Sequence, residues 1–353
     1  MKYINRLLVL LFVSSMISCA HRGDESMAGL AEDQVSSVFD KVPREILDDK
    51  ADTLLVFADA YPVGVGVYGD DIVIHTVMSE YQIEIYDKET LQQKWATGRS
   101  GQGPEDVLNP NFFVSLCSSD TLLQMIDVSD NSHIYIDVDR RQLTKQRLPE
   151  YIGFSSDINM LKGFTVAAKN IGDCMFYIYD DSQMHLTSVP FEINVDDNFR
   201  EKIGGRLGYY LSCHTYANRE HDRIIVPHYF FDEYSIYDFS GKLLKKMSLS
   251  QDRFDEVSAT SDLLDSNNPY MGYVSGAVTA DACYLLRAKF PNQKDEAESQ
   301  LLVKTDWDGV PLKIFKPQQA ITGQFCIVDG NLYAITKSTG EEETYYLMRY
   351  RID

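Results

Sequence analysis

The chain has 353 residues, with 33 Lys and Arg against 53 Asp and Glu and a formal net charge of −20. A body this acidic repels phosphate backbones and anionic headgroups, which excludes nucleic acid and electrostatic membrane binding. With 22 Tyr and 17 Phe, it carries the aromatic load of a strand-rich protein.

Residues 1–18 read as a targeting segment: Lys2 and Arg6 make a positive start, and Leu7 to Ile17 form an apolar core. That core is too short to span a bilayer. Cys19 directly follows Ser18, the place of the lipidated first residue in a bacterial lipoprotein, although Met16 stands where such signals usually carry Leu. The competing reading is an ordinary secretory peptide with a chance Cys. Loss of Lys2 and Arg6 with the signal takes the charge from −20 to −22. Residues 19–50 read as a polar tether with at most a short helix near Gln34 to Phe39, and no later stretch is apolar enough to cross a membrane. Membrane contact is therefore expected through the anchor only.

From residue 51 onward a short pattern recurs. Ile85-Tyr86-Asp87 returns as Ile178-Tyr179-Asp180 and Ile236-Tyr237-Asp238, and more weakly as Tyr135-Ile136-Asp137 and Lys304-Thr305-Asp306. Upstream of each Asp a turn precedes an apolar run: Asp70-Asp71, Asp120, Gly163, Asp222 and Asp281, with Asp329-Gly330 as a sixth. A period of roughly 40 to 60 residues built from short strands is how propeller blades read. The pattern predicts an all-β, six-bladed propeller over residues 51–353, with blades at about 63–98, 112–148, 158–190, 210–249, 273–315 and 323 to the end. Each blade interface would supply its own small core.

The last blade runs out of chain, whereas Thr53 to Phe57 is a strand-like run without a partner. This N-terminal strand is expected to complete the last blade and close the ring, removing exposed edges. Gly64, Gly66, Ser115, Gly276 and Gly323 are placed on the crowded innermost strands. Two insertions, 194–208 and 251–269, stand between blades, and the second holds a helix-like start. Cysteines 117, 174, 213, 283 and 326 lie far apart and read as buried free thiols, although an oxidising compartment would permit one disulfide.

With its signal, its six units and the loop Gly101-Gln102-Gly103-Pro104, the chain resembles the TolB-like six-bladed β-propeller lipoproteins of Bacteroidota. In that family a G-x-G-P-x-E segment links the first two blades; here Glu105 fills the variable position and Asp106 replaces the Glu. The resemblance covers residues 50–353 and implies a fold and a location, an outer-membrane lipoprotein on the periplasmic side or at the cell surface, but no activity.

Gly101, Gln102, Gly103 and Pro104 read first as a shaped turn, with an anion cradle as the alternative. Six residues past each turn come Val77, Ile126, Lys169, His228, Arg287 and Thr336, with Lys289 and Lys337 adjacent. If these strand ends share one face, Lys169, His228, Arg287 and Lys337 are candidates for binding a small anionic ligand, a glycan or an envelope protein. The bland alternative is strand ends paired with neighbouring acids. His214, His221 and His228 are spaced too evenly along a hairpin to define a metal site, so no metal and no cofactor is expected. A propeller hydrolase or lactonase with a metal at its central mouth is the alternative class; Glu105 and Asp127 are acids of the kind it needs, but the sequence does not bring them together.

Overall fold

The computed structural model describes residues 39, 41–47, 51–112, 123–149, 152, 155–169, 174–191, 211–249, 270–290, 300–338 and 343–352. The expected signal peptide, Cys19, most of the tether, Ser115, Cys117 and both insertions lie outside the described residues. Two strands, β1 (Arg44–Ile46) and β2 (Ala51–Phe57), precede blade one, which is β3 (Tyr61–Tyr68), β4 (Asp71–Val77), β5 (Tyr81–Asp87) and β6 (Gln93–Arg99). Blade two is β7 (Pro110–Phe112), β8 (Leu123–Asp127), β9 (Ser132–Asp137) and β10 (Gln142–Arg147). Blade three is β11 (Ser155–Leu161), β12 (Phe164–Lys169), β13 (Cys174–Asp180) and β14 (His185–Pro190). Blade four is β15 (Tyr216–Asn218), β16 (Arg223–Pro227), β17 (Glu233–Tyr237) and β18 (Leu243–Ser248). Blade five is β19 (Tyr270–Val278), β20 (Cys283–Phe290), β21 (Leu301–Thr305) and β22 (Pro311–Lys316). Blade six has β23 (Ala320–Val328), β24 (Asn331–Lys337) and β25 (Tyr345–Arg351), and β2 supplies its fourth strand.

Every blade is an antiparallel meander, so the predicted architecture of six blades is the observed one. β2 pairs with β25 from Ala51↔Tyr350 to Phe57↔Tyr345, which closes the ring with the N-terminal strand as expected. The seam is finished by a bridge between Gln324 of β23 and Gly64 of β3. Closure of this kind leaves no blade without its outer strand.

The second strands explain why the apolar runs are continuous rather than alternating. Successive side chains point to opposite faces, and both faces of each blade are covered by a neighbouring blade. On β4, Ile72 and Ile74 enter the core shared with blade six, while Val73 enters the core shared with blade two. On β16, Ile224 and Val226 face blade three and Ile225 faces blade five. The core is thus distributed as one apolar cluster at each of the six interfaces.

The recurring Asp ends the third strand and shapes the hairpin to the fourth. Asp87 Oδ1 accepts from the Glu89 and Thr90 amides, Asp180 Oδ1 from those of Ser182 and Gln183, and Asp238 Oδ1 from those of Ser240 and Lys242. Asp137 and Asp306 do the same for Arg140 and Val310. These side-chain turns are the reason a short carboxylate recurs where a hairpin must form.

Small residues do crowd the inner strands. A methyl group on Gly276 would meet the Tyr216 ring at 2.6 Å, and one on Gly323, which has φ of 73°, would land on the Val63 carbonyl across the seam. Cys213 and Cys283 are buried free thiols, whereas Cys174 and Cys326 are free but only half-buried.

One boundary is corrected. The end of the expected tether is part of the body: β1 adds in parallel to the outer edge of β22, and Phe39, Val42 and Leu47 are buried between blades four, five and six. Their apolar side chains are scattered among charged residues, so the stretch lacks the alternation that marks a strand in sequence.

Candidate functional site

The two ends of the ring differ. At one end lie the turns between first and second strands and the Asp-capped hairpins between third and fourth. At the other, the connector end, lie the links between blades and the loops between second and third strands. Register places Val77 opposite Tyr61, Ile126 opposite Asn111, Lys169 opposite Ser155, His228 opposite Cys213, Arg287 opposite Tyr273 and Thr336 opposite Ile321. Each partner lies in or just before the first half of its blade's inner strand, so the predicted strand ends share the connector end.

Sharing an end does not make them a cationic cluster. Arg287 grips Asp232 with two hydrogen bonds of 2.5 Å, a bidentate pair with 14% and 7% of the two side chains exposed. Lys337 holds Glu343 at 2.6 Å and lies over the Tyr345 ring. His228 is buried, and burial, helped by the Lys246 charge, pushes its pKa down to about 3, so it is neutral. Lys289 lies near the exposed end of β20. Lys169 lies half-buried over the Tyr177 ring at 5.5 Å; burial lowers its pKa and the nearby Cys174 opposes the shift. The bland reading therefore holds for Arg287 and Lys337, and desolvation removes the charge of His228.

What the structure does assemble at the connector end is a pair that sequence spacing could not show. His214 Nδ1 and Asp157 Oδ2 are 2.7 Å apart, joining blade three to blade four across 57 residues of sequence. Asp157 lies at a β-bulge in β11, where the register shifts between Ser155 and Ile158. Such an irregularity re-aims a side chain. Below it, Asn159 donates to the carbonyl and hydroxyl of Thr215 and accepts from the Ala217 amide, which fixes the two inner strands against each other. Burial works against a charged His214, but the Asp157 carboxylate outweighs it, with the Val274 backbone adding, and holds the pKa above its ordinary value of 6.5. The imidazole is 19% exposed and lies against the Tyr216 and Tyr229 rings.

The Gly101-Gln102-Gly103-Pro104 loop is a structural device. Asp106 Oδ2 accepts from the Gly103 amide at 2.8 Å, and a methyl group on either glycine would strike that carboxylate. The loop's own acid fills the place an anion would take, which corrects the cradle reading. Asp127, completely buried, accepts from the Leu108 and Asn109 amides at 2.7 and 3.1 Å and ties the loop to blade two. Lys145 bridges Asp130 and the Asp106 carbonyl. Asp127 is therefore a structural cap. His214 and His228 belong to different environments, and among the described residues no three His, Cys, Asp or Glu side chains gather in a metal-binding group.

The TolB-like six-blade propeller family model matches residues 46–330. The structure is similar to that of a DUF4221 family member from Bacteroides vulgatus, with a TM-score of 0.52 at 9% identity over 86% of this chain and 99% of that one. It is also similar to a protein from Bacteroides fragilis described as a candidate exported protein, with a TM-score of 0.50 at 13% identity over 88% and 99% of the two chains. No curated protein matches the sequence at a significant level. Six closed four-stranded blades and a family match across most of the ring agree: the chain belongs to the TolB-like six-bladed propeller family.

Proposed function

We propose that the protein is an extracytoplasmic binding module, carried on a lipid at Cys19, that takes a small anionic ligand at the connector end of blades three and four. The observation that carries this is the inter-blade pair Asp157–His214; Lys169, at the connector end of the same blade and over the Tyr177 ring, is the second candidate cation. With His214 protonated, the Asp157 carboxylate is neutralised at this point of a body of charge −20. All three groups sit on or next to strands rather than on long loops, which limits the ordering cost of binding. The candidate exported protein of Bacteroides fragilis and the signal-like first 18 residues support the location.

The test is a thermal-shift and calorimetric titration of the purified full chain with phosphate, citrate and galacturonate at pH 6 and pH 8. At least one anion should raise Tm and bind more tightly at pH 6, with Lys169→Met and His214→Gln each weakening it about tenfold, the loss of one charge-assisted contact. No shift with any of the three, or the same shift in both variants, contradicts the site.

A further inference from the structure

Four described cysteines are in the thiol form, and burial treats three of them alike. It pushes Cys213 and Cys283 well above the ordinary thiol range, and Cys326, half-buried as a residue, still has its thiol pushed up to about 12. All three therefore stay protonated and unreactive. Cys174 is placed differently. It begins β13 at the connector end of blade three and is half-buried. The register of β13 against β14 shifts between Cys174 and Phe176, and Met175 and Phe176 both enter the core shared with blade four. This bulge turns Cys174 the other way, toward blade two.

On that face stand a cation and a hydrogen-bond donor. Tyr177 is opposite Ala167, which belongs to the core shared with blade two, and Lys169 follows two residues later on the same side. The Lys169 ammonium lies over the Tyr177 ring at 5.5 Å and is near enough to Cys174 for their charges to act on each other. Burial, helped by a hydrogen bond with Cys174, pushes the Tyr177 phenol up to about 12, so it keeps its proton and can donate to sulfur. Burial also costs the ammonium its hydration, and a negative sulfur beside it offsets part of that cost. Each group thus favours charge on the other. A thiol in an electropositive, partly exposed niche is the reactive kind.

We propose that Cys174 is a covalent modification site, a thiolate nucleophile that exchanges with small disulfides. Its sulfur attacks one sulfur of the disulfide, the S–S bond between the two halves breaks, and one half leaves as a thiolate that collects a proton. A new S–S bond joins Cys174 to the other half. The small disulfide is the oxidant: Cys174 is oxidised as the leaving half is reduced. Only the supply of such disulfides rests on the extracytoplasmic reading, because they persist in oxidising compartments. The adduct lies beside Lys169 and screens it, so the exchange is a redox control on one of the two candidate cations of the anion site. Cys213 is not the natural second thiol. It donates to the Met175 carbonyl from the blade-four side, across the strand from the face that Cys174 takes.

The experiment reacts the reduced full chain, in detergent, with oxidised glutathione or cystine and follows each cysteine by peptide mass spectrometry. Cys174 should gain the adduct at least about tenfold faster than Cys213, Cys283 or Cys326, because only the thiolate attacks. Lys169→Met should slow Cys174 about tenfold, Lys169→Arg should restore most of the rate, and Tyr177→Phe should slow it more mildly. A thiol that is merely accessible would be indifferent to the charge at position 169. Circular dichroism checks folding, and if Lys169→Met fails to fold, Lys169→Gln and Tyr177→Phe carry the comparison. Cys174 reacting no faster than Cys326, equal rates with and without the Lys169 charge, or a Cys174–Cys213 disulfide as the product overturns the proposal. No anion is present, so failure here leaves the anion titration untouched, and failure of that titration leaves this rate comparison standing.

Discussion

Aspartate side chains act in this protein as short acceptors that replace missing backbone partners. In the first inter-blade loop the carboxylate of Asp106 occupies the space that Gly101 and Gly103 leave open. Neither glycine has positive φ, so the carboxylate is the main obstacle to a side chain there. Gly103→Ala should cost about 1–2 kcal/mol in the native background, through loss of the Asp106 hydrogen bond, and much less on top of Asp106→Ala. A double-mutant cycle by urea unfolding reads this; additive costs would mean the loop is not organised by that carboxylate. Asp127→Ala should be more severe, about 3 kcal/mol, because it takes a fully buried carboxylate away from the Leu108, Asn109 and Asp130 amides and leaves Lys145 without one neighbour of its acidic group. The sequence shows that an acid survives in this loop as Asp106, but not what it does, since its partners are backbone amides. Asp157 gives no signal at all: its partner is 57 residues away and its aim depends on a bulge. His214 is visible only as one of an evenly spaced trio.

At the scale of elements, the Asp-ended third strands and the turn-then-apolar second strands are legible because each repeats locally. Period-2 patterning fails on the second strands for a physical reason: both faces are buried, so apolar residues follow one another without alternation. The closing strand β2 is legible by elimination, as a strand without a partner next to a blade without a fourth strand. β1 is not, since three residues, Arg44 to Ile46, carry no pattern of their own. If β2 closes the ring, Leu55→Pro should remove its pairing with Leu347 and destabilise the body by about 3 kcal/mol. Gly323→Ala at the same seam should cost a comparable amount, because φ of 73° and the Val63 carbonyl both oppose a side chain. Unfolding midpoints unchanged in both variants would mean the seam contributes little.

For the whole molecule, the histidines set the response to acid. Burial pushes His75 and His133 down to about 4 and His228 to about 3, all below the ordinary 6.5. Their folded pKa values are depressed, so the unfolded chain binds more protons below pH 6.5 and stability falls as pH drops from there toward 4. Each group is worth on the order of 2–3 kcal/mol across that window, with solvent screening reducing the share of His133. Asp87, Asp180 and Asp238, whose pKa values are lowered, lose their turn contacts as pH falls further, in the same direction. His214 is opposite in sign: its raised pKa gives stability that is present below pH 6.5 and lost as pH rises through its folded value. Tm should therefore fall steeply from pH 7 to pH 4, and His75→Gln should flatten the slope by about one proton; a slope unchanged by His75→Gln would contradict a neutral buried imidazole.

The anion site is tested most directly by hydrogen–deuterium exchange on the full chain at pH 6, with and without the tightest of phosphate, citrate and galacturonate. Slower exchange in segments 155–159, 165–169 and 211–217 is the predicted result. Exchange that is unchanged there, or slowed only at the Asp-capped hairpins of the opposite end, would contradict it.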